Sequence, residues 1–107
     1  MKKTKKQEQA QIDQERQEAW VGDAVLALFA REWLLENHAS IQGEAFVRFT
    51  SNDFLRHRGN PTSVEAEIGR IYGEKGLEAA FEHMEKNLLP RFKELEKQRL
   101  KVRKPKK

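Results

Sequence analysis

The chain has 107 residues, 37% hydrophobic and 36% charged, with no cysteine and a net charge of +4. That length and balance fit one small domain with a single modest core. They exclude a disulfide framework and a thiolate metal site, and the lack of cysteine fits a reducing cytoplasm. The charge is uneven: ten positive residues fall within 1–6 and 99–107, which leaves the stretch between them at −6.

Residues 1–12 read as a basic, disordered tail carrying Lys2, Lys3, Lys5 and Lys6. They have no apolar stretch of the kind a secretory signal needs. A tail of this kind either keeps the chain in solution or draws it to a polyanion such as nucleic acid. The folded domain is expected over 13–98.

The first helix is expected over 13–37. It starts polar, with QERQ, and turns apolar at Ala19; from Ala19 to Ala30 its only charge is Asp23. A helix apolar on nearly every side is normally buried, and a buried carboxylate needs a partner. The run is also too short to cross a bilayer, which takes about 20 residues. A loop follows at 37–44, then a second helix over 44–58 with Phe46, Phe49, Phe54 and Leu55 as its main apolar residues.

Gly59, Asn60 and Pro61 mark a stop and a new start, with Asn60 suited to an N-cap and Pro61 to the first helical position. The third helix runs over 61–74 and ends at Gly73 or Gly76. A fourth starts near Leu77, and Pro90 kinks or breaks it before 91–100 continues in helical character. Residues 99–107 form a second basic tail, with Arg99, Lys101, Arg103, Lys104, Lys106 and Lys107. No segment alternates with period two, so the chain is expected to be all-α.

Glu65 is a second acid among apolar neighbours: Val64, Ala66, Ile68, Ile71 and Tyr72. Thr62 and Gly69 share its face at helical spacing. Gly22 and Gly69 each put a glycine inside a helix beside an acid, at a cost of about 1 kcal/mol relative to alanine. Close approach of the two helix backbones would explain both, and would bring Asp23 and Glu65 together. Two converging carboxylates need a shared proton or a cation between them. A hard divalent ion suits them, and Mg²⁺ binds through one or two carboxylates plus waters. The bland alternative is that Asp23 pairs with an arginine such as Arg48 or Arg70.

The segments GDAVLALFAREWLL (22–35), TSNDFL (50–55) and VEAEIGRIYGEKGLEAA (64–80) resemble, in that order, the ribonuclease III family. The resemblance covers roughly residues 14–88. It implies an all-α ribonuclease III endonuclease-like helical bundle that cleaves double-stranded RNA with Mg²⁺, for which Mn²⁺ substitutes. It implies Asp23 and Glu65 as catalytic metal ligands. Where the family carries two further acids, this chain has Ala19 and Thr62. The short Mini-III ribonucleases, which lack a double-stranded RNA-binding domain, resemble it in both departures.

The resemblance further implies a homodimer, with Trp20 inserting into the partner subunit; the plain alternative is a core tryptophan. Asn52 matches a Ser-Asn pair and would touch substrate or orient a ligand, unless it only caps a helix. Thr62 and Glu44 are the other candidates near the metal. His38, His57 and His83 have no metal-ligand spacing and are expected at the surface. A non-catalytic RNA-binding or ribosome-associated protein of the same fold is the other functional class.

Overall fold

A computed structural model describes residues 4–38 and 42–103. Its helices are α1 (Lys5–His38), α2 (Gly43–Thr50), α3 (Asn52–Leu55), α4 (Pro61–Lys75), α5 (Leu77–Asn87) and α6 (Leu89–Arg103). The described residues contain no strand, so the all-α expectation holds. No helix among them is long and apolar enough to cross a membrane.

α1 begins at Lys5, eight residues earlier than 13. The expected N-terminal tail is therefore helical over residues 5–12. The cause is a reciprocal cap: the Gln7 amide donates to Thr4 Oγ1 at 3.2 Å, and the Thr4 amide donates to Gln7 Oε1 at 2.9 Å. This is the Thr-x-x-Gln form of a capping box. One turn on, Gln9 Nε2 donates to Asp13 Oδ1 at 2.9 Å. Residues 5–17 are all exposed. A 34-residue helix is about 50 Å long, which accounts for a molecule of 64 × 27 × 21 Å.

The second expected helix is two. α2 stops at Ser51, whose backbone is extended (φ −74°, ψ 151°). Ser51 Oγ then caps α3 by accepting from the Phe54 amide at 3.1 Å, and it donates to the Arg48 carbonyl at 2.9 Å. A serine that satisfies backbone on both sides competes with helix continuation. Asn60 and Pro61 behave as expected: Asn60 Oδ1 accepts from the Ser63 amide at 3.2 Å, and Pro61 opens α4.

Of the two glycines that could end α4, the terminator is Gly76, at φ +92°. Its amide donates to the Tyr72 carbonyl at 2.9 Å. α5 gives way to α6 at Leu88, just before Pro90, whose ring would clash with the carbonyl four residues back. α6 extends to Arg103, so residues 99–103 are helical rather than tail.

The core is assembled around Phe49 on α2. Its ring meets Phe92 at 4.2 Å, Phe54 at 5.4 Å, Phe29 at 5.9 Å and Trp33 at 6.4 Å between centroids. Leu26, Leu55, Ile68 and Met84 complete it and are fully buried. Phe46 lies at the edge, half-buried, with the Arg31 guanidinium 4.2 Å above its ring. A bidentate ion pair, Arg48 to Glu96 at 2.7 and 2.8 Å, ties α2 to α6.

Candidate metal site

α1 and α4 approach each other at two glycines. A Cβ on Gly22 would overlap the Glu65 carbonyl and sit 2.9 Å from the Gly69 nitrogen. A Cβ on Gly69 would overlap the Glu18 carbonyl and sit 3.0 Å from the Gly22 nitrogen. Any side chain at either position would hold the backbones apart. Gly22 and Gly69 accept the helix penalty for this contact, and the neighbouring acids are carried along with it.

The consequence is that the Asp23 and Glu65 carboxyls are in hydrogen-bonding contact. Partial burial, the hydrogen bond that its neutral form makes to Asp23 and the repulsion of the Asp23 charge push the Glu65 carboxyl up from 4.5 to about 7. Below about pH 7 the protonated Glu65 donates to Asp23, and one proton is shared between the two acids. The alternative pairing with arginine is not formed among the described residues: Arg48 is taken by Glu96, and Arg70 is exposed on α4.

Asp23 itself is exposed rather than buried. The apolar run of α1 is covered on one face only. Ala19, Val25, Leu26, Phe29 and Ala30 are buried, whereas Trp20, Val21, Leu28 and Leu35 are exposed, Trp20 by 82%. The core-tryptophan alternative for Trp20 therefore fails within this chain. A shallow recess of 390 Å³ lies between α1 and α4, with Val21, Gly69, Tyr72 and Gly73 in its lining.

The remaining candidates are dispersed. Thr62 is exposed in the first turn of α4, three residues before Glu65. Asn52 is exposed at the start of α3, where Ser51 provides the cap. Glu44 is exposed in the first turn of α2, and its charge acts on Arg48. Ala19, where the resemblance implies an acid, is 8% exposed and packs as a core residue. No group of three or more His, Asp or Glu side chains that could hold a metal occurs among the described residues. The two carboxylates still suit Mg²⁺, which takes hard oxygen ligands and keeps waters.

Among the basic residues, Lys5 and Lys6 are exposed in the first turn of α1, and Lys101 is exposed on α6. Arg103 ends α6. Lys2, Lys3, Lys104, Lys106 and Lys107 lie outside the described residues.

Sequence reasoning missed His83. Its side chain is only 13% exposed, and its Nε2 lies 3.1 Å from Glu67 Oε1. Asn87, one helical turn on, donates to the His83 carbonyl at 2.9 Å and lies 3.0 Å from His83 Nδ1. The carbonyl contact fixes the amide NH₂ toward the ring, so Nδ1 must accept and Nε2 must carry the hydrogen. Burial, and the Arg58 charge to a lesser degree, hold this imidazole below its ordinary 6.5 despite the attraction of Glu67. The i, i+4 His-Asn spacing was the available signal. The chain matches no family model, no curated protein and no solved structure.

Proposed function

We propose that this chain is a Mg²⁺-dependent endoribonuclease that cleaves double-stranded RNA as a homodimer, of the ribonuclease III type and most similar to the short Mini-III enzymes. The observation that carries the reading is the Asp23–Glu65 pair, held together by two helices in contact at glycines. Two like-charged groups placed side by side at this cost are better explained by a cation than by packing. Asp23 and Glu65 would hold Mg²⁺ through their carboxylate oxygens. The ion would activate a water and offset charge on the phosphodiester.

The chain's own residues supply position. The Gly22–Gly69 contact sets the distance between the two acids. The proton shared by the carboxyls leaves when the metal binds, so metal affinity rises with pH through about 7. The exposed stripe of Trp20, Val21, Leu28 and Leu35 supports the dimer, since apolar residues grouped on one helix face mark a contact surface. A twofold pairing would place two Asp23–Glu65 sites on one surface. Double-stranded RNA would be recognised by shape, 2′-hydroxyls and phosphates.

One observation favours a second reading, a non-catalytic RNA-binding or ribosome-associated protein. Ala19 and Thr62 stand where the family has acids, and no third carboxylate joins the pair among the described residues. Incubation of the purified chain with a generic RNA duplex separates the two. Cleavage with Mg²⁺ that stops with EDTA supports the enzyme. Duplex binding without cleavage, in Mg²⁺ and in Mn²⁺, favours the second reading.

A further inference from the structure

We propose that a recess between the α3–α4 turn, the end of α5 and the first turn of α6 binds a phosphomonoester, the phosphate end of a nucleotide or of an RNA strand. The recess has a volume of 190 Å³ and is lined by Phe54, His57, Arg58, Asn87, Leu88 and Arg91. It is too small for a drug-sized ligand, which takes about 300–1,000 Å³, but it suits a single tetrahedral anion. No acidic side chain lines it. Two guanidiniums and an imidazole do: His57 and Arg58 from the α3–α4 turn and Arg91 from α6.

The arginines are held in place without being used up. Arg58 Nη2 donates to Glu67 at 3.3 Å, and Glu67 is in turn fixed by His83. Arg91 Nη1 donates to Glu94 at 2.8 Å. Each of these bonds occupies one terminal nitrogen of a group with five N–H donors, and Glu67 and Glu94 both stand outside the lining. Phe54 and Leu88, 6% and 2% exposed, form an apolar floor. Such a floor keeps water off one side and strengthens the attraction of a guanidinium for an anion.

Asn87 refines the ligand. Its amide hydrogens are committed to His83, so it offers a ligand only its carbonyl oxygen. That oxygen accepts from a hydroxyl, either a P–OH or a sugar hydroxyl beside the phosphate. A sugar phosphate satisfies every group in the recess. Inorganic phosphate reaches the cations and, through its own P–OH, Asn87, but it leaves the apolar floor of Phe54 and Leu88 uncovered and should bind more weakly.

The test uses the full chain in EDTA, which keeps divalent ions out of the Asp23–Glu65 site. Inorganic phosphate and adenosine 5′-monophosphate are titrated in turn and followed by amide NMR. Saturable shifts should centre on Arg58, Leu88 and Arg91, with the nucleotide binding more tightly than phosphate. Arg91→Gln should weaken both by about tenfold, the scale of one charged hydrogen bond. Its only ion-pair partner among the described residues is the exposed Glu94, so the fold should survive, as circular dichroism would verify. Arg56→Gln, which loses a pair with Asp53 outside the recess, should bind as the parent does. Two short RNAs then identify the source. Preference for a 5′-phosphorylated strand over its 5′-hydroxyl form assigns the recess to RNA ends; equal binding of the two, with the nucleotide still bound, assigns it to small phosphate esters. Absence of saturable shifts at millimolar phosphate and nucleotide overturns the proposal, as does unchanged binding in Arg91→Gln.

Discussion

Gly22, Gly69 and Gly73 all lie inside helices, yet alanine should act on them in opposite directions. At Gly22 or Gly69 the new methyl meets a carbonyl of the facing helix. Forcing the backbones apart should cost at least about 2 kcal/mol, despite the better helix propensity of alanine. At Gly73 nothing lies within 4 Å, and Gly73→Ala should stabilise the chain by roughly 0.5–1 kcal/mol. Denaturant melts of the three variants measure both signs. The acids beside these glycines give a second prediction. Glu65 ionises near 7 in the folded chain against an ordinary 4.5. The folded state therefore holds the proton more tightly, and this stabilising contribution is complete below about 4.5 and lost as pH rises through about 7. In metal-free protein, Asp23→Asn removes the repelling charge and should flatten that loss, with slightly higher stability at pH 7. On the proposed function, the same variant should lose Mg²⁺-dependent cleavage. A clear drop in stability without metal would instead identify Asp23 as a structural partner.

The elements show where local chemistry is decisive. Asn60–Pro61 was legible as a helix start because a cap and a fixed φ act within three residues. Asn60→Ala should cost about 1 kcal/mol, read from the same melts. The Thr4–Gln7 capping box was equally local, but it sits in a polar, lysine-rich segment that composition alone marks as a tail. Its residues are good helix formers continued by a packed helix, so the nucleation cost is already met downstream. The α2–α3 break was hidden for the opposite reason. Residues 44–58 contain no glycine or proline to mark a stop, and only the backbone bonds of Ser51 reveal that the chain turns.

For the whole molecule, the open question is what covers α1. Leaving Trp20, Val21, Leu28 and Leu35 to solvent forgoes about 25 cal/mol for each Å² of apolar surface. On the proposed dimer, Trp20→Lys should give a monomer by sedimentation and abolish duplex cleavage while Asp23 and Glu65 remain. A parent chain that sediments as a monomer and still cuts both strands would refute that arrangement. The basic ends act over longer range. On the proposed function, lysine-to-glutamine changes at Lys2, Lys3, Lys5 and Lys6 should weaken RNA binding and make its salt dependence shallower, since each phosphate contact adds to the slope. An unchanged slope would show that these lysines do not meet RNA.

The sequence by itself determined the helical class and the Asn60 boundary, and it pointed to the approach of Gly22 and Gly69; which of Gly73 and Gly76 ends α4 was settled only by the structure. The first three depend on residue type and spacing within a few turns, where periodicity, caps and the absence of a Cβ act directly. Tertiary structure decided which face of the apolar α1 run is covered, and so that Asp23 is exposed while Glu65 is half-buried beside it. It also decided that His83 joins Glu67 and that His57, Arg58 and Arg91 line one recess. Those outcomes depend on how distant segments meet in space. A helical pattern shows which residues share a face, but what packs against that face is set by the other helices.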